Sequence, residues 1–275
     1  MARPKPTTAP LLLDEMTTPQ VEHLLDRRAP LFFPVGTLEA HGRHLPVGTD
    51  TLCASGVARE LAKRFGGAVA PALPYGLTNL LAQTAPGSFF PDDLYREFVK
   101  ATLRGFRAHG FDRLVVINGH GGNTEALKHT ARLVIRESPV AVCVVNWWLL
   151  AEPVARRVYG ARGGHAAVEE TAAVMTLRPD LVDEGRYSPP TDDFTPEDSI
   201  WCYPTPGEVL IYDGDPRGRP TFDRKKAATF MAATLDEIEK RLDRWLRGLG
   251  RLRGGLRPAA DDLPRGPGAR LGFVK

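Results

Sequence analysis

The stretch "DRLVVINGHGGN", residues 112–123, changes character halfway along its length. Its first half is an apolar, β-branched run, which predicts a buried strand over residues 112–119. Its second half combines glycines and asparagines with a single histidine, His120, which is typical of a loop. A helix is predicted next over residues 123–137, and another apolar strand over residues 140–148. Residues 112–148 are therefore predicted to form a strand, a turn, a helix and a second strand, with a histidine where the first strand ends.

The same alternation extends in both directions from this stretch. Apolar runs predict further strands over residues 31–35 and 68–73. Predicted helices cover residues 18–27, 50–65, 92–109, 167–177 and 225–249. Residues 74–91 and 180–220 are rich in glycine and proline and are predicted to be irregular. The alternation favours an α/β fold with a mostly parallel central sheet and helices on both faces. In such sheets, ligands bind at the carboxyl ends of the strands.

Length and composition indicate an ordinary globular protein. The chain has 275 residues, 43% of them hydrophobic and 25% charged, and shows no internal repeat or convincing linker. We therefore predict one domain over residues 1–275, with the basic, Gly- and Pro-rich residues 250–275 as a mobile tail. The 36 basic and 33 acidic residues leave a net charge of +3, so charge provides no case for a nucleic-acid or membrane partner.

The cysteines and the N-terminal residues indicate the cellular compartment of the protein. Cys53, Cys143 and Cys202 are far apart and form no C-x-x-C pair, which favours a reducing compartment. The first residues contain no apolar core of signal-peptide length. No apolar run reaches the roughly 20 residues that a membrane-spanning helix needs. We therefore expect a cytoplasmic protein.

A second polar stretch, "PVGTLEAHGRHLPVGTD" at residues 34–50, follows the predicted strand that ends at residue 35. It contains Glu39, His41 and Asp50, and carboxylate with imidazole suits Zn²⁺, Mn²⁺ or Fe²⁺. Taken alone, Asp50 has an equally good alternative role as a helix N-cap. His44, in the same loop, is expected to support the ligands by hydrogen bonding.

The glycine loop around His120 offers a further candidate ligand. Its glycines permit unusual backbone angles and close approach, so the histidine is exposed to a ligand at the strand end. The neighbouring Asn118 and Asn123 are expected to support it. The alternative, a loop that cradles phosphate, lacks a complete dinucleotide-binding or P-loop pattern.

The third polar cluster is "GGHAAVEET", residues 163–171, with His165 just ahead of a predicted helix. Glu169 and Glu170 fall in the first turns of that helix, where acids also commonly complement the helix dipole. Helical spacing places Glu170 on the same face as Val174 and Leu177. We therefore expect Glu170 to point inward and Glu169 to face solvent.

Together the three clusters, supported by "PYG", "APGS" and "DGDPR", resemble the creatininase family of metal-dependent amidohydrolases. The resemblance covers the chain from residue 31 to the last predicted helix. It implies a three-layer αβα sandwich, a single creatininase-like domain, and a homo-oligomer that is often a hexamer. It also implies two divalent metal ions per subunit, with Zn²⁺ expected and Mn²⁺ or Fe²⁺ as alternatives.

The resemblance also implies roles for individual residues. The two ions would share Asp50 as a bridging ligand, with Glu39 and His120 on the first ion and His41 on the second. Creatininase itself completes the second site with a glutamate at the position that is Gly122 here.

Relatives that share "GHGGN" use instead the glutamate that corresponds to Glu170, which agrees with the inward direction expected from helical spacing. A second departure concerns Gly164, where creatininases have a glutamate that is thought to move protons during ring opening. The motif also reads "HAA", with Ala167 in place of the usual glycine. These changes favour a substrate other than creatinine.

The resulting hypothesis is hydrolysis of a C–N bond in a small amide, namely a cyclic amide, a formamide or a peptide-like bond. A hydroxide that bridges the two metals would attack the carbonyl carbon. His165 would stabilise the oxyanion or pass a proton to the leaving nitrogen. The residues expected to shape the substrate pocket are Tyr75, Ser88, Trp147 and Trp148.

Three alternatives remain open. Within the family they are a mycofactocin-type precursor peptidase and a deformylase that acts on a pyrimidine formamide. From another class, the alternative is a non-catalytic module that binds a sugar or nucleotide through the glycine loop.

Overall fold

The computed structural model describes residues 11–79, 81, 90–189, 210–211, 215–252 and 255–257. The predicted pocket residue Ser88, the cysteine Cys202 and residues 253–254 and 258–275 of the predicted tail lie outside the described residues. The α-helices are α1 (Thr18–Asp26), α2 (Thr49–Phe65), α3 (Asp92–Ala108), α4 (Thr124–Glu137), α5 (Trp147–Tyr159), α6 (Val168–Leu177) and α7 (Arg224–Leu249). The strands are β1 (Leu31–Val35), β2 (Ala68–Val69), β3 (Arg113–Asn118), β4 (Ala141–Asn146), β5 (Gly164–His165) and β6 (Leu210–Ile211).

Within the described residues, the central sheet has four strands in the order β2-β1-β3-β4, and every neighbouring pair is parallel. Leu31 of β1 pairs with Leu114 of β3, so the two strands end together at Val35 and Asn118. Strands β5 and β6 form a separate antiparallel pair. The parallel sheet predicted from the alternation of strands and helices is confirmed.

Two hydrophobic layers cover the two faces of this sheet, because successive side chains of a strand point to opposite faces. Phe32 and Ile117 pack with residues from α2, α5, α6 and α7. Leu31 and Val116 pack with residues from α1, α3 and α4. The result is the three-layer αβα arrangement implied by the family resemblance.

Two predicted element bounds are wrong. The strand predicted over residues 140–148 ends at Asn146, and Trp147 begins the helix α5, which the sequence pattern did not reveal. Aromatic residues at its start and Pro153 inside it hide the helical period. Of the strand predicted over residues 68–73, only Ala68 and Val69 form β2. Leu73 keeps an isolated parallel bridge to Val35, and Pro71 between them has no N–H to donate.

Across the described ranges, none of the helices is both long enough and apolar enough to span a membrane.

Candidate metal centre

The three polar clusters meet at the carboxyl edge of the central sheet. Glu39 and His41 follow β1, His120 follows β3, and Asp50 lies in the first turn of α2. Glu170 comes from the first turn of α6. Each of these five side chains belongs to a residue that is less than a tenth exposed. Buried carboxylates at such close quarters require a compensating positive charge.

A close backbone contact sets the distance between the first two clusters. A Cβ atom at Gly119 would lie 2.1 Å from the carbonyl oxygen of Asp50. Glycine at this position therefore lets the end of β3 pack directly on the first turn of α2. That contact brings His120 to the Asp50 carboxylate.

The two oxygens of Asp50 face different histidines. Its Oδ1 lies 2.9 Å from Nε2 of His41, and its Oδ2 lies 3.1 Å from Nδ1 of His120. Glu39 Oε1 lies 3.1 Å from the same His120 nitrogen, and Glu170 Oε2 lies 3.5 Å from the same His41 nitrogen. The donors thus form two groups that share Asp50, and within each group the ligand atoms lie within 4.8 Å of one another.

Backbone carbonyls fix which nitrogen of each histidine faces the carboxylates. His41 Nδ1 lies 3.2 Å from the carbonyl oxygen of Glu39, and His120 Nε2 lies 2.9 Å from that of Leu77. Since a carbonyl only accepts hydrogen bonds, these nitrogens carry the hydrogen in a neutral ring. The other nitrogens then direct lone pairs at the carboxylates, which repel them unless a cation lies between. His41 Nε2 and Asp50 Oδ2 also have no hydrogen-bond partner among the described residues. The donor set therefore fits divalent metal ions.

The electrostatics lead to the same conclusion. Burial opposes a charged ring at His41, but the carboxylates of Asp50 and Glu170 outweigh it and raise the pKa of His41 well above its ordinary value. Burial is outweighed in the same way at His120, where Glu39 and Asp50 raise the pKa. Burial would raise the pKa of Asp50, yet both histidines hold it below the usual range. A metal-free cluster thus takes up protons, and a metal ion displaces them when it binds.

His165 lies beside this cluster in a third environment. Its Nε2 lies 2.6 Å from the carbonyl oxygen of Ala40, and its Nδ1 lies 3.4 Å from Glu39 Oε1. The ring packs on that of His41, with 4.2 Å between centroids. The Ala40 carbonyl requires the hydrogen on Nε2, so Nδ1 is left free on the side of the carboxylates. The arrangement suits a group that carries a proton.

Both glutamates of α6 are buried, which confirms the direction expected for Glu170 and shows that the direction expected for Glu169 is wrong. Both oxygens of Glu169 accept from the backbone N–H of Gly163 at 2.9 Å. Burial raises the pKa of Glu169 to about 7, with a smaller contribution from Glu170 and against the hydrogen bond from Gly163. The physical reason is that α6 packs against α2, α5 and α7, so its first turns have no solvent-facing side.

The two asparagines predicted to support His120 form hydrogen bonds around it. Asn118 Oδ1 accepts from the His120 backbone N–H at 3.1 Å, and its Nδ2 donates to the His120 carbonyl at 2.8 Å. Asn123 Oδ1 accepts from the backbone N–H of Leu77 at 3.0 Å, and its Nδ2 donates to the carbonyl of Gly36 at 3.1 Å. Asn123 therefore fixes the residue whose carbonyl orients His120.

His44 lies behind the cluster. Its Nε2 is 3.0 Å from Thr171 Oγ1, and its ring meets those of Tyr187 and Phe222 edge to face. Burial, with the neighbouring His41, lowers the pKa of His44 to about 4. The ring is thus neutral and packs next to the helix that carries Glu170.

The described residues that were predicted to shape the substrate pocket lie in three different environments. Trp148 lines a small pocket together with the candidate ligands, Gly121 and Gly164. The prediction for Trp147 is wrong, because its side chain is fully buried in the hydrophobic layer between the sheet and α5 to α7. Consecutive side chains of a helix point in different directions, so the two tryptophans part at the start of α5. Tyr75 is 48% exposed, lies against Phe90, and is not among the residues that line this pocket.

Two contacts at the site could not be found from the sequence, since backbone carbonyls carry no sequence signal. They are the carbonyls of Leu77 and Ala40, which orient His120 and His165. The structure also explains Gly122: a Cβ atom there would lie 2.3 Å from the Leu77 oxygen and 2.5 Å from His120 Nε2. A glutamate therefore has no room at this position, in agreement with Glu170 as the donor of the second group.

The fold and the site define an α/β protein with a buried centre for divalent metal ions. A family model described as creatininase, creatinine amidohydrolase, matches residues 14–242, and the chain belongs to this family. It is 33% identical over 175 residues to the creatinine amidohydrolase of Pseudomonas putida, covering 57% of this chain and 67% of that protein. It is 30% identical over 188 residues to the mycofactocin precursor peptide peptidase of Mycobacterium ulcerans, covering 64% and 70%. The chain is thus an enzyme, a hydrolase acting on carbon–nitrogen bonds.

Solved structures extend the likeness to the three-dimensional level. A crystal structure of creatinine amidohydrolase superposes with a TM-score of 0.72 at 25% identity, covering 86% of this chain and 97% of that chain. A manganese form of creatininase gives a TM-score of 0.69, and a zinc–zinc form of a creatininase variant gives 0.68, both at 26% identity, 86% coverage of this chain and 99% of theirs. Together with the donor groups around Asp50, these forms support binding of divalent metal ions here.

Proposed function

We propose that this chain is a two-metal amidohydrolase that cleaves the C–N bond of a small, uncharged amide. The observation that carries the proposal is the division of the Asp50 carboxylate between two donor groups. One group adds Glu39 and His120, and the other adds His41 and Glu170. The mixture of imidazole and carboxylate favours Zn²⁺, with Mn²⁺ as the alternative.

When bound, the two ions supply a water of lowered pKa and a Lewis acid for the carbonyl oxygen. The chain supplies the ligands and the proton carrier. His165 is anchored through Nε2 to the Ala40 carbonyl, so its Nδ1 accepts a proton from the attacking water. The Glu39 oxygen at 3.4 Å stabilises the resulting imidazolium. The same nitrogen then delivers the proton to the leaving nitrogen as the C–N bond breaks, which yields an amine and an acid.

The lining of the pocket supports an uncharged substrate. The lining residues among those described include three carboxylates and no lysine or arginine, so no cationic side chain there pairs with a carboxylate or phosphate that lies away from the metal ions. Gly121 and Gly164 add no side chain to the lining, and Trp148 adds an apolar surface. Formamides and lactams fit this chemistry.

A peptide-like amide is the second candidate. The likeness to the mycofactocin precursor peptide peptidase favours it, because that relative is similar over nearly two thirds of this chain. Creatinine ranks lower, since Gly164 offers no side chain beside His165 to move a proton during ring opening.

The test combines metal analysis with a substrate panel. The purified protein is stripped with a chelator, reloaded with zinc or manganese, and assayed on formamides, lactams, creatinine and short peptides. We expect about two ions per chain, loss of activity on stripping, and recovery on reloading. Full activity in the stripped protein would refute the proposal.

A matched pair of variants provides the control. Glu39→Gln removes a buried candidate ligand, and Glu125→Gln changes an exposed acid on α4. We expect only Glu39→Gln to lose metal and activity. A Glu39→Gln protein that still binds a sugar or nucleotide normally without metal would favour the non-catalytic binding module instead.

A further inference from the structure

We propose that Glu169 is a positioning residue for His165, which it holds in place through the backbone of Gly163. The inference rests on the proposed function for the part that His165 plays in the reaction. The structural claim, that Glu169 fixes the orientation of the His165 ring, stands independently of any substrate.

Two glutamates of α6 form hydrogen bonds with the backbone on either side of His165. Both oxygens of Glu169 accept from the N–H of Gly163, two residues before His165. Oε2 of Glu170 accepts from the N–H of Ala166, one residue after it, at 2.6 Å. Two consecutive glutamates of α6 therefore hold the short strand β5 on either side of His165. Glu170 is already a candidate metal ligand, whereas Glu169 does not line the metal pocket.

The backbone around Gly163 and Ala166 has little freedom to adjust if the hydrogen bonds from Gly163 to Glu169 are lost. A Cβ atom at Gly163 would lie 2.3 Å from Glu169 Oε2, 2.6 Å from the Ala167 Cβ and 2.8 Å from the Gly218 carbonyl oxygen. Ala166 adopts a φ of 51°, a left-handed conformation that alanine rarely takes and that surrounding contacts must maintain. The segment that carries His165 is thus packed tightly and held in a strained form.

Glu169 carries a carboxylate in a buried position, where a charged group is unfavourable. The neighbouring carboxylates of Glu170 and Glu152 act on Glu169 and, like its burial, oppose its negative charge. Both of its oxygens accept from the Gly163 N–H, and the backbone N–H of Glu169 itself also donates to the carboxylate. A buried acid used in this way is explained by what it holds, which is the start of the strand that presents His165.

The test compares two side chains of similar length. Glu169→Gln keeps an oxygen acceptor for Gly163, whereas Glu169→Met fills the space without one. Histidine-selective ¹⁵N NMR of the zinc-loaded proteins reports which His165 nitrogen carries the hydrogen. We expect the Nε2–H form in the wild type and in Glu169→Gln, because it donates to the Ala40 carbonyl. In Glu169→Met we expect a mixture of the two forms.

Kinetics and metal content complete the test. In Glu169→Met we expect kcat to fall about 10- to 100-fold, with unchanged metal content. KM should stay within about twofold of the wild-type value. Glu169→Gln should restore kcat to near the wild-type value. Should Glu169→Met fail to fold, Glu169→Asp withdraws the carboxylate by one methylene and takes its place with the same expectations.

Three results overturn the inference. They are a wild-type His165 signal with wild-type kcat in Glu169→Met, a reduced kcat with an unchanged His165 signal, and a reduced kcat that follows loss of metal. If the wild-type protein hydrolyses none of the amides, the proposed function fails, and the His165 signal alone still decides the role of Glu169.

Discussion

Nε2 of His41 lies 2.9 Å from Oδ1 of Asp50, although the contacts of the ring make that nitrogen an acceptor in a neutral histidine. Two acceptors at this distance in a fully buried position repel each other. A proton or a metal ion must therefore lie between them. The predictions for this site follow from that requirement and from the repetition of the arrangement at the other oxygen of the same carboxylate.

Asp50→Asn should impair both metal positions, since one carboxylate serves both donor groups. Glu170→Gln should impair only the group that contains His41. We expect about two ions per chain in the wild type, fewer than about one in Asp50→Asn, and about one in Glu170→Gln, measured by elemental analysis. Asp180→Asn, which changes an exposed acid paired with Arg178, is the control. Wild-type metal content in Asp50→Asn would contradict a shared ligand.

The stability of the metal-free protein should decrease as the pH rises above neutrality. The folded-state pKa values of His41 and His120 are raised above 6.5, so their stabilising contribution is complete below pH 6.5 and is lost as the pH rises through the raised values. The lowered pKa of Asp50 acts at the other end: its contribution is present above 3.8 and is lost as the pH falls below that value.

Zinc should reverse the slope on the alkaline side, because metal binding requires deprotonated ligands and becomes tighter as the pH rises. Urea unfolding between about pH 6 and about pH 9, with chelator and with zinc, measures both slopes. A metal-free protein whose free energy of unfolding increases over this range would show that the two histidines are neutral when folded.

Gly122→Ala should disturb His120, whereas Gly121→Ala should be tolerated. A Cβ atom at Gly122 would lie 2.3 Å from the Leu77 carbonyl oxygen that orients the histidine, and a Cβ atom at Gly121 meets nothing within 4 Å. We expect Gly122→Ala to weaken metal binding by about 10- to 100-fold, as when an orienting partner is lost. Zinc titration of both proteins provides the comparison. Equal affinities would mean that the Leu77 carbonyl does not orient His120.

The neighbouring tryptophans should respond to substitution in opposite ways. Trp147→Ala should cost about 3 to 5 kcal/mol of unfolding free energy, because it empties a fully buried site in the hydrophobic layer. Trp148→Ala should alter KM and kcat with a much smaller loss of stability, because this side chain lines the pocket. Chemical denaturation and steady-state kinetics separate the two effects. A destabilised Trp148→Ala protein with normal kinetics would remove Trp148 from the pocket.

Much of the site follows from local sequence. Glu39, His41 and His120 stand at the ends of apolar strands, and the carboxyl ends of parallel strands share one edge of a sheet. Glu170 follows from helical spacing alone. The strands β1 and β3 were predictable because their apolar runs are buried on both faces.

The positions of Glu169 and of the two tryptophans depend instead on which helices pack around them. The same helical spacing assigned Glu169 to solvent, and it failed because α2, α5 and α7 surround α6. Trp147 and Trp148 are adjacent and chemically identical, so only the start of α5 decides that the first is core and the second lines the pocket.

By itself the sequence determined the α/β alternation apart from α5, the candidate ligands and the family, since these depend on residue types and their spacing along the chain. The tertiary structure decided which nitrogen of each histidine is free, how Asp50 is divided, and where Glu169 points. Those properties depend on backbone carbonyls and on neighbouring helices that are far away in sequence. Such groups become neighbours of the site only when the chain has folded.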